Sequence, residues 1–194
     1  MAQNLLTADY ARSYLDRLCA VLKSIDPQEV SRVGALLCNA RAEGRQVFIC
    51  GNGGSAALAS HMAVDLGKGA SRNREKRFRV ISFTDNVPWM TALANDISYD
   101  DVFVEQLKNY AQKGDVLLAI SSSGNSKNVL KAVQYANEIG CRTVGISGFA
   151  GGKLKPMVTE HVLVKAEHMG LIEDGQMVVG HILVYAFMDV EGAG

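Results

Sequence analysis

The sequence predicts an α/β fold: a doubly wound, five-stranded parallel sheet entered through a pair of helices. Two observations predict it. Five short apolar runs bounded by Gly or polar residues, at 46–50, 79–82, 115–120, 142–146 and 161–164, read as buried strands. Stretches with helical spacing separate them, at 55–66, 89–94 with 102–110, 125–139 and 172–190. Such alternation implies right-handed βαβ units with helices on both faces of the sheet.

Taken in order, the chain opens with Leu5, Leu6, Tyr10, Tyr14, Leu15, Leu18, Val21 and Leu22 at helical spacing. Asp26-Pro27 then starts a second helix, with Asp26 as N-cap and Pro27 at the first position, where its missing N–H costs nothing. Val30, Val33, Leu36 and Leu37 carry that helix to a stop near Gly44. Residues 1–44 are therefore expected as a helical pair for packing and oligomerisation, forming one structural unit with 45–194. The last helical stretch is apolar on more than one side (Met177, Val178, Val179, Ile182, Leu183, Val184, Tyr185, Phe187), which predicts burial against another subunit.

Composition narrows the function. Twenty basic and twenty acidic residues cancel among 194, leaving no electrostatic footprint for nucleic acid or an anionic membrane. The basic stretch 68–79 reads as a solvated connection. Asp9, Arg12, Asp16 and Arg17 interrupt the first helix, so it is no signal peptide, and no stretch approaches the ~18 apolar residues of a membrane span. Cys19, Cys38, Cys50 and Cys141 lie far apart and read as buried thiols in a reducing compartment, which predicts a cytoplasmic protein. Nineteen glycines are above the usual share, and their placement matters.

Two Gly- and Ser-rich turns join a strand to a helix. In the first, Gly51-Asn52-Gly53-Gly54-Ser55, backbone N–H groups and a positive helix end meet at the carboxyl edge of the sheet and suit an anion, usually phosphate. It is neither G-x-G-x-x-G nor a lysine-bearing P-loop, and no acidic ribose ligand follows, so no nucleotide cofactor is expected. In the second, Ser121-Ser122-Ser123-Gly124-Asn125-Ser126, neutral hydroxyls can surround the same group. A serine run at a helix start is often only an N-cap, but two such turns in one sheet point to a phosphorylated small molecule.

Two further stretches carry titratable groups. His61 and Asp65 are four residues apart on one helix and share a face, and Glu173 and His181, eight apart on the last helix, are expected to share another. Buried carboxylates and imidazoles need partners, so the four are expected to meet. They suit an acid–base pair, Asp65 with His181, or a two-His, two-carboxylate site for zinc or another divalent ion. Satisfied core histidines are the plainer alternative, and His161 and His168 stay with it.

These segments together resemble the SIS (sugar isomerase) domain family and, within it, the phosphoheptose isomerases. The resemblance rests on G-N-G-G-S-A at 51–56 with His61 downstream, T-A-L-A-N-D at 91–96, G-D-V-L-L-A-I-S-S-S-G-N-S at 114–126, G-G-K at 151–153 and I-E-D-G-Q-M-V-V-G-H-I-L at 172–183. It implies a flavodoxin-like subunit in a homotetramer with active sites between subunits, converting sedoheptulose 7-phosphate to D-glycero-D-manno-heptose 7-phosphate. It also implies that Ser55, Ser121, Ser123 and Ser126 bind phosphate and that Asn52, Gly53, Asp96 and Ser122 meet the substrate. Asp65 and His181 stand at the catalytic positions, and the ligand set of a zinc ion maps onto His61, Asp65, Glu173 and His181. The chain departs from the family pattern at several of these. Ser122 stands for Thr, Asp65 for a longer Glu, and Glu173 for Gln; Gly67-Lys68-Gly69 replaces a register with Arg, and Met169-Gly170-Leu171 replaces an acidic–basic pair. Two rivals follow: a non-catalytic phosphosugar-binding regulator resembling the factor that associates with the DnaA initiator, and an isomerase of another sugar phosphate.

Overall fold

The computed structural model describes residues 6–189. Leu5 and Val190, assigned above to the ends of the first and last helices, lie outside the described residues. Helices α1 (Ala8–Lys23) and α2 (Pro27–Ala42) begin as the capping chemistry requires. The Asp26 carboxylate accepts from Gln28 N at 2.8 Å, Pro27 takes the first position, and Gly44 closes the helix with φ +68°.

Five strands follow: β1 (Gln46–Cys50), β2 (Arg79–Ser82), β3 (Val116–Ser121), β4 (Arg142–Gly148) and β5 (Glu160–Val164). All pair in parallel, in the order β2-β1-β3-β4-β5. This is the doubly wound sheet expected, and its order reverses between β1 and β3, the crevice where open α/β sheets take their ligands. Helices α3 (Gly54–Val64), α4 (Val87–Asp96), α5 (Val104–Tyr110), α6 (Lys127–Glu138) and α7 (Met169–Asp189) complete the two layers.

Strand alternation divides the core. Val47, Ile49, Val116, Leu118 and Ile120 face the layer of α1, α2, α3 and α7, whereas Phe48, Cys50, Leu117 and Ala119 face α5 and α6. Val21, Ile25, Val30, Val33 and Leu37 of the leading helices join the first of these clusters.

Three expectations are corrected. Only Cys50 and Cys141 are buried, their thiols pushed up to about 12 and about 11 chiefly by loss of solvent; Cys19 and Cys38 are exposed, because they fall on the outer faces of α1 and α2. The helix expected over 55–66 ends at Val64 and passes into a π-turn, Asp65–Gly69, closed by Ala70 N donating to Asp65 O at 2.8 Å. Helix α7 starts at Met169, three residues earlier than read, and by length and composition it is apolar enough to cross a membrane. Half of that apolar window is buried within the fold, as suits a core helix.

Candidate active site

Helices α3 and α7 start from the carboxyl ends of β1 and β5 and run side by side in the same direction. Three contacts set their register: Gly54 against Glu173, Leu58 and Met62 against Gly180, and His61 against His181. A Cβ at Gly180 would stand 2.9 Å from Leu58 Cδ1, so the missing side chain lets the two helices close. Both features of the candidate site lie on this seam.

At its upper end a cavity of about 280 Å³ is lined by Asn52, Gly53, Gly54, Ser55, Ser121, Ser122, Ser123, Ser126, Met169 and Glu173. The two turns identified in the sequence thus meet across the β1/β3 switch point. Their helices lack the side-chain caps found elsewhere: Thr7, Asp26 and Asn86 cap α1, α2 and α4, but Gly53 has no side chain to offer α3 and Ser126 makes no cap bond to α6. The Ser126 hydroxyl lies instead 3.2 Å from that of Ser121. Neither cap position therefore supplies a side-chain acceptor, although Val129 N donates to Asn128 Oδ1 at 2.9 Å and Ser55 N to Asn52 O at 3.0 Å, and both positive helix ends open into a wall of hydroxyls.

The second turn is held from behind. Gly124, at φ +63°, has Gly151 O where a Cβ would stand, and Lys153 N donates to Asn125 Oδ1 at 3.1 Å. The G-G-K segment therefore buttresses the serine turn. Ser122 points toward α7 and donates to Gln176 Oε1 at 3.1 Å, and Gln176 Nε2 reaches Ile146 O at 3.3 Å.

Asn52 is fixed by a reciprocal amide pair with Asn128, 2.9 Å each way, and by the Tyr99 hydroxyl donating to Asn52 Oδ1 at 2.9 Å. Sequence reasoning missed Asn128, Gln176 and Tyr99. Asn128 lies in the first turn of α6, Gln176 within α7 and Tyr99 just past α4, and only tertiary contact reveals their roles. Asp96 does not line the cavity; it lies exposed at the end of α4, where Asn95 Nδ2 donates to it at 2.8 Å. No residue of α4 is fully buried, and Asp96, expected at the substrate, stays outside the serine cavity of its own chain.

Two turns farther along the seam, His61 Nε2 stands 2.8 Å from His181 Nε2 and 3.2 Å from Asp65 Oδ2. Four residues of helix bring Asp65 back onto the His61 face, and the π-turn begins just there. A carboxylate oxygen beside His61 Nε2 favours the proton on that nitrogen, which leaves the His181 Nε2 lone pair as its acceptor. The Tyr185 ring meets His181 edge to face, with centroids 5.8 Å apart. The His61 side chain keeps 40% of its surface exposed, so the cluster opens to the outside.

Glu173 is not brought into this cluster. Eight residues of helix rise ~12 Å and turn it roughly 80° away from His181, too far for a shared ligand set. Its carboxylate lies at the serine cavity instead. The ligand atoms of His61, Asp65 and His181 all lie within 4.8 Å of one another, an N, N, O set open on one side. That donor chemistry fits a divalent ion such as zinc with three protein ligands and a free position.

Comparison with known proteins identifies the family of the chain and its fold. Residues 9–148 match the SIS domain family. The chain is 35% identical to a probable phosphoheptose isomerase of Thermoplasma volcanium over 161 residues, 83% of this chain and 82% of that protein. It is 40% identical to the phosphoheptose isomerase of Helicobacter pylori strain P12 over 138 residues, 71% of each. Its fold superposes on the phosphoheptose isomerase GmhA of Neisseria gonorrhoeae with a TM-score of 0.83 at 25% identity, covering 92% of this chain and 97% of that one.

Proposed function

The chain belongs to the SIS domain family, among the phosphoheptose isomerases, and we propose that the α3–α7 seam carries out its reaction by acid–base proton transfer. Sedoheptulose 7-phosphate is the ketose and D-glycero-D-manno-heptose 7-phosphate the aldose. Ser55, Ser121, Ser123 and Ser126 hold the phosphate with neutral donors at the positive N-terminal ends of α3 and α6, while Asn52, Gly53 and Ser122 shape the approach. The ring-opened sugar then lies along the seam toward His61, Asp65 and His181.

One observation carries this reading. The imidazole–carboxylate cluster sits two turns down the same two helices whose N-terminal ends flank the serine cavity. From Ser55 to His61 the helix rises ~9 Å. An extended seven-carbon chain spans about the same distance from its phosphorus to C1, at ~1.2 Å per bond. The phosphate is thus bound at one end and the carbonyl delivered to the other.

Isomerisation removes a proton from C1, passes through an enediolate and returns a proton to C2. A hydroxyl proton moves between O1 and O2, so no redox partner is required. Asp65 and His181 share the removal and return, and His61 between them orients both side chains. His61, Asp65 and His181 would also hold a divalent ion, zinc by the chemistry of the donors, which when bound supplies a Lewis acid for the carbonyl oxygen.

The assembly reading is a tetramer with each site completed by a neighbour. An apolar groove of about 640 Å³ runs between the α1–α2 elbow (Leu22, Ile25, Val30) and α7 (Val178, Ile182, Phe187), and Ile182 and Tyr185 are about half exposed. Helix α4, with no fully buried residue and ending at Asp96, offers a second contact and a way to bring Asp96 to another subunit's cavity. The exposed Cys19 and Cys38 suit a reducing cytoplasm.

Incubation with sedoheptulose 7-phosphate, followed by NMR of the sugar, tests the function. The aldose phosphate is the expected product. Binding without conversion of any C5–C7 ketose phosphate would make the protein a phosphosugar sensor and overturn the enzymatic reading.

A further inference from the structure

The serine cavity contains one ionisable side chain, and that side chain has the wrong charge for a phosphate site. Among its lining residues there is no Lys, Arg or His, only Glu173. The Glu173 carboxylate lies flat on the first residue of α3: a Cβ at Gly54 would stand 2.6 Å from its Cδ and Oε2 and 2.7 Å from its Oε1. A side chain at position 54 would have to push the carboxylate aside. No hydrogen bond or ion pair joins Glu173 to another described residue, so nothing but the α3 terminus and the hydroxyl wall compensates it.

We propose that Glu173 is a built-in anion that occupies the phosphate end of the seam and sets which phosphates the cavity admits. The carboxylate takes up the favourable potential of the α3 N-terminus when no ligand is present. An entering phosphate carries the same sign and must drive the side chain off Gly54. A small inorganic anion brings only its charge to that exchange. A phosphosugar brings contacts along the whole seam as well and displaces the carboxylate more readily. Glu173 is therefore a specificity residue that works by discrimination against free phosphate, the stronger competitor in number within a cell, and not by attraction of the sugar. Its three rotatable side-chain bonds and its place in the first turns of α7 allow it to swing clear without moving the helix.

The inference rests on the phosphosugar reading above, and the test separates the two. Glu173→Gln keeps shape and removes charge; Glu173→Ala removes both and guards against an effect peculiar to the amide. Calorimetric titration of the wild type and each variant with inorganic phosphate, and separately with sedoheptulose 7-phosphate, gives the answer. Inorganic phosphate is expected to bind both variants at least tenfold more tightly than the wild type, with a smaller gain for the sugar phosphate. Phosphosugar binding with unchanged or weakened inorganic phosphate binding in the variants would overturn the role of Glu173 alone. Failure of the sugar phosphate to bind any of the three proteins would overturn the phosphosugar reading and this proposal with it.

Discussion

The two ends of the α3–α7 seam are built from opposite materials. The upper end is a wall of hydroxyls at two helix N-termini around a single carboxylate; the lower end gathers two imidazoles and a carboxylate within 4.8 Å, open to the outside. Hydroxyls and backbone N–H groups hold a charged group without exchanging protons with it. Imidazole and carboxylate do exchange protons, and they lie about two helical turns from where the phosphate would sit. On the proposed reading, separating the two ends keeps the firmly held part of a ligand away from the part that reacts.

The comparison breaks first if the lower end is not the reactive one. Replacement of His181 by Ala should lower turnover by about 10²- to 10⁴-fold, the span of general acid–base help, in a coupled assay. Replacement of Ser121 or Ser126 by Ala attacks the upper end instead. A lost hydrogen bond to a charged group, about 1.5–3 kcal/mol, should raise KM for the sugar phosphate roughly tenfold or more and leave kcat near the wild type. If these serine variants lowered kcat and spared KM, the division between the ends would be wrong.

A metal sharpens the comparison. Elemental analysis of the purified protein should find a divalent ion that His61→Ala loses, and chelation should lower turnover while leaving phosphosugar affinity within a few-fold. Absence of any stoichiometric metal would remove the ion from the lower end and leave Asp65 and His181 as plain acid and base.

The smallest effect falls outside the seam. His161 is buried on β5 with Ser147 Oγ 2.8 Å from its Nε2, its Nδ1 has no partner, and burial holds its pKa below the ordinary 6.5. The unfolded chain therefore takes up this proton more readily, and stability should be full above about pH 6.5 and decline as the pH falls below it. Thermal unfolding at pH 7.5 and 5.5 should show a fall that His161→Gln reduces. Equal falls in both proteins would assign the acid sensitivity to other groups.

Much of the seam was legible in the sequence because its determinants are local. A strand end, two glycines and a serine specify a turn wherever the rest of the chain goes. His61 and Asp65 are neighbours through helix geometry alone, which survives the π-turn that begins at Asp65. What the sequence did not reveal depends on the register of two helices more than a hundred residues apart. Helix α7 itself holds Glu173 and His181 apart, but the contact of Gly180 with Leu58 decides that one meets Gly54 and the other His61. Tyr99, Asn128 and Gln176 position the site through side chains that no local pattern marks, and α4 leaves Asp96 outside its own chain's cavity.

Titration of the His181→Ala protein with sedoheptulose 7-phosphate tests the division most directly, since it asks whether binding survives when chemistry is removed. An affinity within about threefold of the wild type, with turnover lost, is the predicted result. Loss of binding, or turnover that persists without the imidazole, would contradict it.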